Sequence, residues 1–327
     1  MNAPAAAGED LLRIDCEREA ERICERIREI VFGQLRRKGA VIGVSGGVDS
    51  SVVAFLCARA LDPKRVLLLF MPEADSSKDS VRLGRMVADT LRARSVLEDV
   101  TPLLKGARCY ERRDEAVRMV IPEYGEDCKC KIVLPSVLQG ERYPIFSVLV
   151  QSPDGQTRTA RLSAAASLGL IAATNFKQRV RKMIEYYYAD LLQYAVAGTP
   201  NLLEYDQGFF VKGGDGAADF KPIAHLYKTQ VYQLAEYLGV PQAIRSKPPT
   251  TDTYGLEQSQ EEFYFTLPLT QMDLCLYGKN NGFSTEEAAA LAGLTPEQTA
   301  RVYKMIDSRR RMARYLHSGP LLAGEVH

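Results

Sequence analysis

The sequence predicts an α/β protein built on a doubly wound parallel sheet, and three stretches carry that expectation. Residues 40–61, AVIGVSGGVDSSVVAFLCARAL, join a short apolar run (Val41, Ile42, Val44) to a small Gly-rich loop. Val52, Val53, Leu56, Cys57, Ala60 and Leu61 then follow at helical spacing. Arg65-Val66-Leu67-Leu68-Leu69-Phe70-Met71 reads as a second buried strand. Strand, helix and strand within ~30 residues make a βαβ unit with parallel strands and a right-handed crossover. Tyr194-Ala195-Val196-Ala197-Gly198-Thr199 is a further apolar strand. Its carboxyl end should open on the same edge as the Gly-rich loop.

The bulk numbers suit a globular chain. Of 327 residues, 46% are hydrophobic and 25% charged, enough for one large domain or two modest ones. Lys and Arg number 42 against 41 Asp and Glu, so a net charge of +1 gives no electrostatic footprint for nucleic acid. Seven cysteines at irregular spacing, an N-terminus without an apolar core segment, and no run of membrane-spanning length point to a soluble, reduced, cytoplasmic protein.

Taken in order, residues 10–38 form one amphipathic helix with a stripe of Leu11, Leu12, Ala20, Ile23, Ile27, Ile30, Val31 and Leu35. After the βαβ unit, Ser76–Arg92 is a helix opened by a Ser-rich cap, Ser95–Glu98 a third strand, and Thr101–Val120 a further helix. Residues 121–162 break the alternation. Tyr143–Val150 and Thr157–Leu162 flank the turn Ser152-Pro153-Asp154-Gly155, an inserted β-hairpin. Cys128-Lys129-Cys130 just before it lacks the second ligand pair of a metal site and reads as free thiols. Ala172–Lys182 leads into a helix running through Asp190, where Lys177 and Arg181 share a face and Arg179 and Arg181 do not. That basic cluster is either solvated surface or a grip for phosphate or carboxylate. Gly208–Asp219 places two carboxylates, a lysine and four glycines in one loop, a composition that packing alone does not explain. Leu226–Leu238 is a helix stopped by Gly239 and Pro241, and 247–262 is a Pro- and Thr-rich lid loop. The C-terminal part is helical, with capping boxes at Ser284–Glu287 and Thr295–Gln298.

The loop at 45–50 precedes a helix N-terminus, where free N–H groups and the helix dipole favour an anion. It is not a Walker A loop, because no lysine follows its second glycine. Gly43, Ser45 and Gly47 satisfy G-x-S-x-G, which would make Ser45 a nucleophile. However, such an elbow follows several strands and needs a histidine, and only His225, His317 and His327 exist. A structural turn is another reading. In every position Ser45-Gly46-Gly47-Val48-Asp49-Ser50 resembles SGGxDS, the pyrophosphate loop of the N-type ATP pyrophosphatases. Those enzymes split ATP into AMP and pyrophosphate and activate a carboxylate or carbonyl as an adenylate.

Four further motifs narrow the resemblance. They are Asn175-x-Lys177-x-Arg179-x-Arg181 with Tyr187-Tyr188-Ala189; Gly198-Thr199-x-Asn201 with Glu204; Gly208-Phe209-Phe210-x-Lys212 with Gly214-Asp215-Gly216 and Ala218-Asp219; and Leu226-Tyr227-Lys228-Thr229-Gln230. Together they resemble the NAD synthetases, in the ammonia-using form without a glutaminase domain, from about residue 10 to about 315. The resemblance implies a Rossmann-like sheet of the N-type ATP pyrophosphatase fold in a single domain spanning 1–327, interrupted by the 121–162 insertion. It also implies a reaction: ATP and nicotinate adenine dinucleotide (deamido-NAD) give a nicotinyl-adenylate and pyrophosphate, and ammonia displaces AMP.

The resemblance assigns roles too. Ser45, Gly46, Gly47, Asp49 and Ser50 would cradle the pyrophosphate, with Met71, Thr199, Lys228 and Thr250 also at ATP. Asp49 and Glu204 would hold Mg²⁺, since a helix dipole worth ~0.3–1 kcal/mol is too weak alone for polyphosphate chemistry. Arg179, Tyr187, Phe209 and Lys212 would meet deamido-NAD, and Asp215 and Asp219 the nicotinate end and the ammonia, one of them taking a proton. Lys228 would stabilise charge on the adenylate phosphate. The family also implies a homodimer with the dinucleotide site at its interface, and a separate glutaminase is a conceivable ammonia source. Leu202-Leu203 stands where relatives carry Lys-Ser or Ala-Ala, and Gly216-Ala217-Ala218-Asp219 replaces Gly-Gly-Ala-Asp. These departures keep open an amide ligase for another carboxylic acid, and a nucleotide-binding protein without turnover stands behind it.

Overall fold

A computed structural model describes residues 10–125, 127–134, 146–249, 254–256, 259 and 264–324. Four parallel strands form the central sheet: β1 (Ala40–Gly43), β2 (Val66–Phe70), β3 (Arg94–Leu97) and, much later in the chain, β7 (Ala195–Ala197). Their order is β3-β2-β1-β7, with Val41 opposite both Leu67 and Val196. A single parallel bridge from Ala197 to Phe220 extends the β7 edge. The chain moves outward from β1 in one direction and returns on the other side, so the topological switch point lies between β1 and β7.

Helix α1 (Cys16–Arg28) is N-capped by Asp15, whose carboxylate accepts from Arg18 N at 3.1 Å. The continuous helix expected over 10–38 is not formed. The chain widens into a π-helical turn at Glu29–Gln34, and Arg36 adopts φ +52° and ends it. Helix α2 (Val48–Leu61) is buried on nearly every side, between the sheet on one face and α1 and α8 (Lys228–Tyr237) on the other. Helix α3 (Lys78–Leu91) is capped by Ser77. The single helix expected at 101–120 is two, α4 (Thr101–Gly106) and α5 (Cys109–Arg118), because Arg108 at φ +55° breaks the run after Gly106.

The insertion holds more than a hairpin. Strands β5 (Ser147–Gln151) and β6 (Thr157–Arg161) pair antiparallel, and a third strand, β4 (Lys129–Val133), pairs with β5 so that Ile132 faces Val148. Cys130 and Ile132 point into a core shared with α5 and the next helix, while Lys129 and Lys131 point outward. That alternation was readable as a strand. Cys130 is therefore a packed thiol, and among the described residues no group of three potential ligands could hold a metal.

Helix α6 (Ala164–Leu192) starts eight residues before its expected entry at Ala172, capped by Ser163, and ends at Gln193 in the left-handed region. Short α7 (Leu202–Gln207) follows β7, and α9 (Gln242–Arg245) follows α8. Helices α10 (Leu269–Asn280), α11 (Thr285–Ala292) and α12 (Pro296–His317) make the expected helical C-terminal part, and both capping boxes form. The expected lid at 247–262, including Thr250, falls largely outside the described residues. No described helix is long and apolar enough to cross a membrane.

Candidate active site

The carboxyl ends of β1, β2 and β7 open into one cavity of about 520 Å³. The loop after β1 forms its floor. Gly46 takes φ +80°, and a Cβ there would stand 2.9 Å from the Ser80 carbonyl, so both its conformation and its surroundings call for glycine. Side chains brace the loop: Ser50 Oγ accepts from Ser45 N (3.3 Å) and donates to Gly47 O (3.2 Å), and Ser51 Oγ donates to Gly47 O (2.8 Å). Gly47, the N-cap of α2, has no side chain to accept from the first-turn amides. A helix N-terminus without a side-chain cap is an arrangement that favours an anion.

Across the switch point, Asn201 closes a capping box with Glu204, whose Oε2 accepts from Asn201 N at 3.1 Å. Asn201 Nδ2 donates to Asp49 Oδ1 at 3.1 Å. Lys228, only 1% exposed, donates to Asp49 Oδ2. Burial alone would depress the Lys228 ammonium, but Asp49 and Glu204 more than offset it, and its pKa is raised. Glu204 is pushed up to about 8, first by burial and then by the nearby Asp49 charge, against the opposing pull of Lys228. Two carboxylates thus crowd one lysine at the mouth of the phosphate loop. Lys228 itself is placed by Asp273, whose carboxylate accepts from the Lys228 and Thr229 amides at the start of α8.

Helix α6 lines a second wall. Lys182 and Glu185 form an ion pair at 2.5 Å, both nearly buried, and burial pushes Glu185 up. Glu185 lies against the end of β1, since a Cβ on Gly43 would come within 2.8 Å of its Oε1. Arg181 donates to the Met71 carbonyl (3.0 Å) and to Ser76 Oγ (3.2 Å), so it grips the turn after β2. Lys177, one turn earlier on the same face, sits 2.9 Å from Glu73 and 2.6 Å from Asp75. The basic cluster at this helix entry is therefore split between a buried charge network and the cavity wall. Asp215 is half-buried in the cavity wall, its pKa raised by desolvation, with Oδ1 accepting from Val211 N at 2.7 Å.

Of the residues singled out from sequence, Ser45, Gly47, Asp49, Ser50, Met71, Thr199, Glu204, Phe209, Asp215 and Lys228 line this one cavity. Gly46, within the loop itself, is not in the lining, and four more lie away from it. Asp219 is tied to the edge of the sheet, its Oδ2 accepting from Val196 N (2.8 Å) and its Oδ1 from Tyr186 Oη (3.3 Å). Lys212 donates to the Tyr315 and Ser318 carbonyls at 2.8 Å each. Arg179 donates to the Lys212 carbonyl (3.2 Å), and Tyr187 is 59% exposed. Sequence reasoning missed Lys182, Glu185 and Tyr264, whose ring stacks on Phe209 at 4.6 Å. The i, i+3 spacing of Lys182 and Glu185 was the available signal.

Comparison with known proteins agrees with this geometry. The chain matches the NAD synthase family over residues 19–120 and 146–314, leaving out most of the stretch that leads to β5. The NH(3)-dependent NAD(+) synthetase of Mesorhizobium japonicum is 58% identical over 316 residues, 97% of this chain and 99% of that one. The enzyme of the same description from Rhizobium rhizogenes is 53% identical over 326 residues, 100% of this chain and 98% of that one. Among solved structures, an NH3-dependent NAD synthetase from Campylobacter jejuni superposes with a TM-score of 0.62 at 22% identity, over 95% of this chain and all of that one. An NMN synthetase from Francisella tularensis gives 0.61 at 19%, over 96% of this chain and all of that one, so shared fold alone does not select the acid. The match along most of its length makes this chain a member of the NAD synthase family.

Proposed function

We propose that the protein makes NAD⁺ from deamido-NAD, ATP and ammonia, releasing AMP and pyrophosphate. The observation that carries this reading is the Asp49–Lys228–Glu204 cluster set beside the amides of the SGGVDS loop. A carboxylate is a poor electrophile, because ammonia would have to expel oxide. Its oxygen instead attacks the α-phosphorus, and the bond to the bridging oxygen breaks with the electron pair leaving on pyrophosphate. Ser45, Ser50 and the first-turn amides of α2 receive that pyrophosphate, and Lys228 offsets charge growing on the transferred phosphate.

The donor set fits a divalent cation: two half-buried carboxylates share one field, and Glu204 is driven towards protonation by desolvation and then by the Asp49 charge. Asp49 and Glu204 would hold Mg²⁺, which supplies charge neutralisation for the leaving pyrophosphate. In the second step the ammonia nitrogen attacks the acyl carbon, the carbon–oxygen bond breaks, and AMP leaves with the pair. Asp215, which lines the cavity and has its proton affinity raised by burial, takes the proton from the incoming nitrogen. Asp219, with both oxygens engaged at the sheet edge, holds the loop that carries Asp215.

The deamido-NAD contacts of Arg179, Tyr187 and Lys212 belong to a different surface. Arg179, Met183, Tyr187 and Leu191 recur every fourth residue on α6, and the last three are 55%, 59% and 62% exposed. A stripe of large apolar side chains beside a basic pair supports a homodimer in which the partner covers this face, with the dinucleotide between the copies. We place the enzyme in the cytoplasm on its reduced thiols.

Purified protein given ATP, Mg²⁺, ammonium and deamido-NAD should yield NAD⁺, AMP and pyrophosphate in equal amounts. ADP as product would overturn the reading. AMP formed only with another acid would favour the related amide ligase instead.

A further inference from the structure

We infer that the inserted sheet builds the base end of the nucleotide site, with Phe146 presenting an apolar wall to the adenine ring of ATP and the fully buried Ile132 backing it. The inference rests on the ATP-dependent reading above and adds a specificity element to it. Ile132 and Phe146 both line the cavity whose floor is the phosphate loop. They stand on the β2 side of it. A Cβ on Gly255 would lie 3.4 Å from Asp75 Oδ1 and 3.5 Å from Lys129 Cγ, so β4, the segment at 254–256 and the turn after β2 meet there. Met71 and Pro72, on that turn, also line the cavity. The cavity is therefore divided by chemistry. Towards β7 it presents Asp49, Glu204, Lys228 and Asp215; towards the insertion it presents Ile132, Phe146, Ile171 and Tyr254. A polyphosphate suits the first end and a flat heteroaromatic ring the second.

The insertion is fixed in that position by charge as well as packing. Arg113 of α5 donates to Asp75 (2.5 Å) and Asp114 (2.8 Å), Asp75 also meets Lys177, and Tyr110 Oη donates to Glu73 at 2.8 Å. This buried network joins the turn after β2 to the two helices on which the inserted sheet packs. The stretch carrying β4 and Ile132 falls between the two parts of the chain that match the family, and Phe146 opens the second part, so an added strand here backs a position of the shared scaffold.

The test separates the two ends of ATP. Binding of ATP, adenosine and tripolyphosphate is measured by calorimetry on wild type, Phe146→Ala and Ile132→Val, with a thermal midpoint for each. Phe146→Ala should weaken ATP and adenosine on the order of ten-fold, as expected for losing part of an aromatic contact, and leave tripolyphosphate unchanged. Ile132→Val should weaken both by about two- to three-fold with the fold intact. In turnover, KM for ATP rises while kcat holds. If Phe146→Ala binds adenosine as tightly as wild type, or loses tripolyphosphate equally, the inference is wrong. If wild type binds no ATP, the functional reading fails instead.

Discussion

The two faces of α6 invert the usual arrangement of a surface helix. The inward face carries Lys177, Arg181, Lys182 and Glu185, each with a polar partner at hydrogen-bond distance. The outward face carries Met183, Tyr187 and Leu191 in the open. A buried charge and an exposed apolar stripe are the two observations that ordinary folding does not explain. Their coincidence on one helix fits the two roles proposed for it: a cavity needing fixed charge, and a dimer interface.

The sharpest way to break that contrast is to remove inward charge. Lys228 faces the same cavity from α8, and Lys228→Met leaves the half-buried Asp49 and Glu204 without their cation. Activity should fall by about 10²–10³-fold, and unfolding should become easier by about 3–5 kcal/mol. Steady-state kinetics and denaturant titration read the two. Full activity in this variant would end the proposed role of Lys228. Lys177→Met should cost somewhat less stability, about 3 kcal/mol, because it takes the ammonium from Glu73 and Asp75 and leaves them only Tyr110 and Arg113. Its kinetic signature should be a raised KM for ATP, since that network holds the turn carrying Met71. A loss of kcat at unchanged KM would show that the network serves the chemistry rather than the base end.

The inward face also predicts a pH dependence. Glu204 has its pKa raised from 4.5 to about 8, so between those values the folded protein holds a proton the unfolded chain has released. Stability from this group is full at low pH and is lost as pH rises through about 8. Without nucleotide or Mg²⁺, wild type should therefore lose stability relative to Glu204→Gln between pH ~5 and ~8. Parallel pH profiles for the two proteins would show that Glu204 is ionised throughout. Glu185 and Asp215 shift in the same direction and remain in both proteins, so the difference isolates Glu204.

Much of this was legible in the sequence, and the gaps have physical causes. The apolar runs at 40–44, 65–71 and 194–199 mark parallel strands because both faces of such a sheet are buried, so burial writes itself into consecutive residues. The Gly-rich loop, Lys228 and Glu204 were legible because the chemistry restricts residue type there. Strand β4 escaped because four alternating residues carry little signal, and two of its outward positions are lysines that also suit a loop. The break at Arg108 and the π turn after Arg28 escaped because a single residue in the left-handed region leaves the apolar period on either side intact. For α6 the spacing put Lys177 and Arg181 on one face and Arg179 off it, but did not say which face meets the cavity. Arg179 and Tyr187 came from a motif, and a motif does not say which side of a helix meets which ligand.

The outward face yields the smallest effect on the fold and the cleanest test of the contrast. Tyr187 is 59% exposed, and its ring packs only edge-on against Tyr188 at 5.1 Å. Within one chain, Tyr187→Asp removes little buried area, so stability should change by no more than about 0.5 kcal/mol. Across a two-fold interface the same substitution appears twice, placing two carboxylates in an apolar patch where each must stay hydrated. Sedimentation velocity should therefore show wild type as a dimer and the variant as a monomer. If Arg179, Tyr187 and Lys212 meet the dinucleotide between copies, KM for deamido-NAD should rise while ATP binding to the inner cavity persists. A variant that stays dimeric with unchanged KM would confine the substrate to the inward face and leave the apolar stripe unexplained.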